Sequence, residues 1–177
     1  MAAAQITAAE FLTLPQEQTQ RTELVAGEIV PMAGARFLHE NVKSLVTREL
    51  MRYLLSHPIG RIYEETMYRL TPVDARQPDV SFLLQHRVNA VDPQDWPQGA
   101  PDLAVEVVSS ESAADLEAKI ELYLANGAKY VITAFPERRV IHVYTPGGSS
   151  RLLGVDADLE LPELLPGFKT KVSNFFE

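Results

Sequence analysis

Two carboxylates stand in apolar runs that are typical of buried strands. Asp79 lies near the start of "QPDVSFLL", and Glu106 lies in the middle of "LAVEVVS". A buried carboxylate is costly unless it is paired, protonated or bound to a metal. Two carboxylates on neighbouring strands can converge on a hard divalent cation, and Mg²⁺ or Mn²⁺ suits an all-oxygen site. The pair therefore predicts a metal site with Asp79 and Glu106 as ligands.

Each carboxylate also has an ordinary explanation. Asp79 follows Pro78, and an aspartate at such a position often accepts a hydrogen bond from the backbone of its own turn. Glu106 would need no ligand if its strand lay at a sheet edge, with the polar side in water. Either alternative is sufficient for one residue alone, so the metal hypothesis depends on the two residues together.

Lys119 lies on the predicted helix that follows the Glu106 strand. Helical periodicity places it at the border of the buried face, close to Leu116 and Tyr123. It is either a surface lysine whose stem covers the core while its ammonium stays in water, or a functional cation. In the second case the ammonium would orient a water molecule or stabilise charge that develops on a phosphate.

Further candidates for the same site are His39 and Glu40, at the start of the long helix, and Glu23 and Glu28, in the N-terminal hairpin. His39 flanks the apolar stripe of its helix, so a core-edge histidine is the alternative to a catalytic one. Glu28 has the alternative of a solvent-facing hairpin residue. His39 and Glu28 join the two carboxylates and Lys119 as candidate catalytic residues.

Hydrophobic periodicity predicts the elements that must position these residues. Three helices are predicted: a short one capped by Thr7, a long amphipathic one from Leu38 to His57, and one capped by Ser112 that ends at Asn126-Gly127. Strands are predicted in the hairpin "RTELVAGEIVPM" and in "GRIYEETMYRL", "DVSFLL", "LAVEVVS", "YVITAF" and "RVIHVYTP". This order predicts an α/β fold in which a mixed β-sheet is flanked by helices.

Composition excludes several function classes. The chain has 177 residues, which fits one domain over residues 1–177, and it has no cysteine, so thiolate chemistry and thiolate zinc sites are excluded. There is neither an apolar run of membrane-spanning length nor a signal-peptide pattern, which predicts a cytoplasmic protein. The 24 acidic and 16 basic residues give a net charge of −8, and the average surface field therefore repels polyanions.

A family resemblance extends from residue 6 to residue 176. The runs "TELVAGEIVPM", "RQPDVSF", "PDLAVEVVSS" and "EAKIELYLANGAKYV", with "LPGF" before "VSNFF", resemble the Uma2 family, also called DUF820. The resemblance implies a restriction-endonuclease-like fold of the PD-(D/E)XK superfamily, whose members bind Mg²⁺ through acidic residues and use a lysine in phosphodiester hydrolysis. By position, it implies Asp79 and Glu106 as metal ligands. The usual lysine position is Val108 here, and the resemblance implies that Lys119, on the following helix, takes that role.

The sequence is compatible with two functions. One is a metal-dependent nuclease that acts on nucleic acid, DNA rather than RNA, and the other is a catalytically silent dimeric scaffold with the same fold. The acidic balance favours the scaffold, and the presence of Asp79, Glu106 and Lys119 together favours the nuclease. A positive rim formed by Arg61, Arg69, Arg76 and Arg87 would reconcile the two observations. The family resemblance and the aromatic tail "VSNFF" predict a homodimer.

Overall fold

The computed structural model describes residues 5–32, 34 and 36–177. Its α-helices are α1 (Ala8–Thr13), α2 (Gln16–Thr19), α3 (Phe37–Leu54), α4 (Gln85–Ala90) and α5 (Ala113–Ala125). The first six strands are β1 (Thr22–Val25), β2 (Glu28–Pro31), β3 (Gly60–Glu64), β4 (Tyr68–Thr71), β5 (Asp74–Arg76) and β6 (Val80–Leu84). The other six are β7 (Leu103–Val107), β8 (Tyr130–Phe135), β9 (Val140–Thr145), β10 (Ser149–Gly154), β11 (Asp158–Leu161) and β12 (Leu165–Lys171).

The largest sheet has six strands in the order β10-β9-β8-β7-β6-β3. Strands β7 and β8 run parallel, because α5 carries the chain back across the sheet between them, and the other neighbouring pairs are antiparallel. Every residue of β7 is buried, as its apolar sequence predicts for a strand covered on both faces. The prediction of a mixed sheet flanked by helices is confirmed.

A second sheet of four strands, in the order β2-β1-β5-β4, comes from the N-terminal half of the chain. The predicted hairpin across Ala26 and Gly27 is confirmed, and both residues have positive φ, as a tight hairpin turn requires. The single strand predicted for "GRIYEETMYRL" is wrong. The chain turns at Glu65, whose φ is also positive, and it continues as β4 in the other sheet.

The two long helices cover the sheet as their periodicity predicts. One face of α3 buries Val42, Val46, Leu50 and Leu54 in the main core. Ser112 caps the start of α5, since its hydroxyl accepts a hydrogen bond from the Asp115 N–H, and Asn126 is the C-cap, followed by Gly127. The helix that crosses between β7 and β8 is therefore fixed at both ends.

The C-terminal part of the chain adds structure that the sequence patterns did not predict. Strand β10 extends the six-stranded sheet, β11 and β12 form a separate hairpin, and a short 3-10 helix, Val172–Phe175, closes the chain. Val172 and Phe175 are buried in the main core. The tail "VSNFF" thus packs inside its own chain and gives no support to a partner surface. No helix in the described ranges is long and apolar enough to span a membrane.

Candidate metal and catalytic site

Asp79, immediately before β6, lies opposite Glu106 in the neighbouring strand β7. Val80 of β6 pairs with Val105 of β7, so the same register places Asp79, one residue before Val80, opposite Glu106. Both residues are buried, with 8% and 3% of their surfaces exposed. Because β7 lies between β6 and β8, contact with water at a sheet edge does not compensate Glu106.

Asp79 is held by groups outside its own turn. The Val107 N–H donates a hydrogen bond of 2.6 Å to its Oδ2, and His39 Nε2 lies 3.0 Å from its Oδ1. The hydrogen bond to Asp79 raises the pKa of His39, although burial opposes this rise. A local turn aspartate would bond its own backbone, so Asp79 instead fixes β7 and α3 relative to the start of β6.

Glu106 accepts hydrogen bonds on both oxygens. Lys119 Nζ lies 3.0 Å from Oε2, and the Tyr123 hydroxyl donates to Oε1 at 2.8 Å. Burial raises the pKa of Glu106, while the Lys119 ammonium opposes the rise and the charges of Asp79 and Glu23 increase it. The compensation that a buried glutamate needs comes from two side chains of α5, one helical turn apart.

Lys119 is not a surface lysine with its ammonium in water. Its Nζ lies between two carboxylates, 3.0 Å from Glu106 Oε2 and 3.2 Å from Glu23 Oε1. Burial alone would lower the pKa of Lys119, but these two carboxylates outweigh burial and raise it. The ammonium therefore remains charged beside the Asp79–Glu106 pair.

Glu23 brings the second sheet into the site. Its Oε1 also accepts a 2.8 Å hydrogen bond from the Gln77 N–H, and its Oε2 lies 3.4 Å from Arg76 Nη1. Glu23 therefore connects β1, the segment that leads into Asp79, and helix α5. The sequence placed Glu23 among the further candidates without any partner.

The side chains of this site line one cavity of about 890 Å³. His39 and Glu40 line it, together with Asp79, Glu106, Lys119 and Glu23. Two of the lining residues, Glu40 and Glu65, share an ion-pair partner, since Lys43 Nζ lies 2.5 Å from Glu40 Oε2 and 2.5 Å from Glu65 Oε1. Glu28 is exposed on β2 and does not line the cavity, so the structure brings together every candidate except Glu28.

The four arginines expected as a positive rim are dispersed. Arg69 pairs with Asp95, Arg87 pairs with Asp102, and Arg61 is exposed on β3. Of the four, all within the described residues, only Arg76 lines the cavity, where Glu23 and Asp74 flank its guanidinium. The rim proposed to offset the negative charge of the protein is absent at these positions.

The donor set fits a small hard cation. Two carboxylates at facing positions supply oxygen ligands, and Mg²⁺ is commonly held by one or two carboxylates while waters and substrate phosphates complete its shell. Within the part of the chain that the structure describes, no group of three or more His, Asp or Glu side chains is arranged to hold an ion. A site of this kind would therefore depend on Asp79 and Glu106 for its direct protein carboxylates.

Tyr123 contacts Glu106 but was not predicted as a site residue, because the apolar stripe of its helix accounted for it as a core residue. It is completely buried, and burial raises its pKa well above the ordinary value. The spacing of four residues between Lys119 and Tyr123 is the feature that could have linked it to Glu106. Glu111, whose pKa burial also raises, lines the cavity and was not predicted either.

Comparison with known proteins gives a family and a fold. The model of the Uma2 family, described as "Putative restriction endonuclease", matches residues 8–173. A crystal structure from Anabaena variabilis ATCC 29413, described as "a putative nuclease belonging to DUF820", superposes with a TM-score of 0.82 at 21% identity and 97% coverage of both chains. No curated protein matches the sequence. The predicted α/β architecture, a mixed β-sheet flanked by helices, is confirmed by this structural likeness.

Proposed function

The chain belongs to the Uma2 family, and we propose that it is a metal-dependent nuclease of the PD-(D/E)XK type, which hydrolyses phosphodiester bonds in nucleic acid. The family description supports a nuclease in general terms. The observation that supports the metal-dependent form is the facing pair Asp79 and Glu106, with the Lys119 ammonium 3.0 Å from Glu106.

The cofactor that fits this pair is Mg²⁺ or Mn²⁺, with Asp79 and Glu106 as its protein ligands. A divalent ion there would supply a Lewis acid and a more acidic bound water at neutral pH. Asp79 is already oriented by the Val107 N–H, and Glu106 is oriented by Tyr123. Preorganisation of both carboxylates lowers the cost of assembling the site around an ion.

The side chains around the two carboxylates have separate tasks in this proposal. Lys119 offsets negative charge that develops on the scissile phosphate, because its ammonium stays protonated beside the pair. Glu23 positions that ammonium through the 3.2 Å contact, and His39 orients Asp79. Glu28 receives no role, since it is exposed and lies outside the cavity lining.

Calorimetry with Mg²⁺ and Mn²⁺, combined with a nuclease assay, tests this function. The wild type should bind the ion saturably and cut at least one of three substrates: single-stranded DNA, double-stranded DNA or RNA. Asp79→Asn should lose both metal binding and cleavage. Asp158→Asn changes a carboxylate on β11 that lies outside the cavity, and this variant should keep both. Saturable metal binding without cleavage of any substrate would reject the enzyme.

A catalytically silent scaffold is the second candidate. It is favoured by the fact that both oxygens of Glu106 already have protein partners, so an ion must compete with Lys119 and Tyr123. The cavity also contains more carboxylates than Lys and Arg side chains. If neither Mg²⁺ nor Mn²⁺ binds and Asp79→Asn lowers only the free energy of unfolding, the scaffold is the better description.

The remaining partner proposals are DNA ahead of RNA, a homodimer and a cytoplasmic location. The family description as a restriction endonuclease supports DNA. For the dimer, Ile29 and Val30 on β2 are 41% and 39% exposed, and β2 is the outer strand of its sheet, whose edge can pair with a second copy. Light scattering at micromolar protein concentration tests the dimer.

A further inference from the structure

Trp96 is the sole tryptophan of the chain, and it lines the cavity that contains the carboxylate pair. It is 42% exposed, although a large aromatic side chain normally buries more of its surface. An aromatic face left open inside a concave site offers a stacking surface for a planar ligand.

The loop around Trp96 is fixed on both sides of the residue. Asp95 pairs with Arg69 at 2.5 Å, the Arg69 N–H donates to the Pro97 carbonyl at 3.0 Å, and the Gly99 N–H donates to the Arg69 carbonyl at 2.8 Å. Arg69 of β4 therefore anchors Asp95 and Pro97, the residues immediately before and after Trp96. A surface fixed in this way loses little conformational entropy when a ligand stacks on it.

The charge of the cavity disfavours a duplex. Its lining holds seven Asp or Glu side chains and three Lys or Arg side chains, and Arg76 and Lys119 are themselves paired with acids. A duplex brings one phosphate charge per roughly 1.7 Å of axis, twice the density of one strand. Tight duplex binding requires phosphate contacts with cations, and this lining supplies few of them.

Apolar groups supply the contacts that cations do not. Val30, Pro31 and Met32 line the same cavity as Trp96, and its volume of about 890 Å³ is in the range of sites that enclose small ligands. In a duplex the faces of the bases are stacked on one another, so an apolar and aromatic wall can bind only a base that is unpaired and exposed.

We infer that the cavity binds an unpaired nucleobase against Trp96, and that the substrate is therefore a single-stranded nucleic acid or an unpaired segment. This inference rests on the proposed nuclease function and adds the substrate class to it. The strand would place one base on the indole and a phosphate near Asp79 and Glu106. Specificity for single strands would come from base contacts and not from a basic surface.

The fluorescence of Trp96 gives a binding test that needs no cleavage. Wild-type protein in EDTA is titrated with a single-stranded DNA oligonucleotide, its duplex, the RNA of the same sequence, and an abasic strand of equal charge. The Asp79→Asn/Glu106→Gln double variant, which lowers the negative charge of the cavity, is titrated in parallel. We expect quenching by the base-containing single strands in at least one of the two proteins, and at least 10-fold weaker binding of the duplex and the abasic strand.

Variants locate the stacking surface. With a labelled oligonucleotide, Trp96→Ala should weaken single-strand binding roughly 5-fold to 150-fold, the range for one stacked base, and Trp96→Phe should retain part of the affinity. Leu152→Ala is the control, since Leu152 is an exposed apolar residue outside the cavity lining. A Trp96→Ala variant that binds as tightly as the wild type would overturn the inference.

The inference and the proposed function fail in different ways. Equal affinity for the duplex, the abasic strand and the single strand, or no binding by either protein, overturns the inference, and metal-dependent cleavage can still be present. Base-dependent quenching without cleavage at any Mg²⁺ or Mn²⁺ concentration rejects the nuclease, and the base-binding cavity stands.

Discussion

The ammonium of Lys119 lies 3.0 Å from Glu106 Oε2, although the two residues belong to different elements, α5 and β7. The contact explains how a glutamate can stand in the interior strand of a sheet. The cation beside Glu106 therefore comes from the next helix and not from position 108, where Val108 is apolar. Glu23 approaches the same ammonium from the second sheet.

Replacement of Lys119 by alanine should separate catalysis from metal binding. Asp79 and Glu106 remain in Lys119→Ala, and the ammonium that competes for Glu106 Oε2 is gone, so Mg²⁺ or Mn²⁺ should bind at least as tightly as in the wild type. Loss of one positioned donor should lower the cleavage rate by roughly 100-fold to 1,000-fold. Calorimetry and a gel assay measure the two effects. Lys169→Ala, which removes an exposed ion-paired lysine, is the control. Cleavage at the wild-type rate would disprove the role of Lys119.

Replacement of Glu23 should destabilise the protein, because three partners lose their acceptor. In Glu23→Ala the Lys119 ammonium keeps only Glu106, and both the Arg76 guanidinium and the Gln77 N–H lose a buried partner. Breaking a buried ion pair by removing one member costs about 3–5 kcal/mol. Urea denaturation of the metal-free protein measures the change in the free energy of unfolding.

The same hairpin supplies a matched control for Glu23. Glu28→Ala changes an exposed glutamate on β2, and surface substitutions of this kind stay within about ±0.5 kcal/mol. Equal free energies of unfolding for the two variants would show that the Glu23 contacts contribute nothing to stability.

Local patterns predicted the elements that carry the site. Helical spacing identified α3 and α5, and the apolar run around Glu106 identified β7, because each of these patterns arises from neighbours within one element. The strands β10 to β12 escaped prediction, and β10 has five exposed residues out of six, so it has no clear alternation. An outer strand without a buried face leaves little periodicity in the sequence.

The partners of the site residues could not be predicted in the same way. Glu23 and Glu28 stand in one hairpin with similar neighbours, yet only Glu23 reaches Lys119. The difference arises from the packing of the four-stranded sheet against α5, which no local pattern records. The partner of Tyr123 could not be predicted either, because its ring fits the apolar stripe while its hydroxyl donates a hydrogen bond to Glu106.

The titration of His39 should depend on Asp79. In the metal-free protein the hydrogen bond to Asp79 holds the pKa of His39 above its ordinary value of 6.5. In Asp79→Asn the charge is removed and burial remains, so the pKa should fall. NMR titration resolves the four histidines, with His39→Gln to assign the resonance. His142, whose pKa burial lowers, should titrate below 6.5 in both proteins and serves as the internal reference.

The Glu106 carboxyl should make the stability of the metal-free protein fall as pH rises. Burial raises its pKa in the folded state above the unfolded value, so the native state binds more protons than the unfolded chain between those two pKa values. The contribution to the free energy of unfolding is complete below the unfolded pKa and is lost as pH rises through the folded pKa. Urea denaturation in EDTA across this interval measures the slope.

Glu106→Gln isolates this contribution, because the amide keeps the shape of the side chain and cannot titrate. The raised pKa of His39 gives a slope of the same sign, since a cation stabilised in the folded state also loses its effect as pH rises, and it remains in the variant. The variant should therefore show a shallower decline than the wild type, and Glu160→Gln, an exposed change on β11, should show the wild-type slope. Identical slopes for Glu106→Gln and the wild type would mean that Glu106 is already ionised in the folded protein, with Lys119 outweighing the effect of burial.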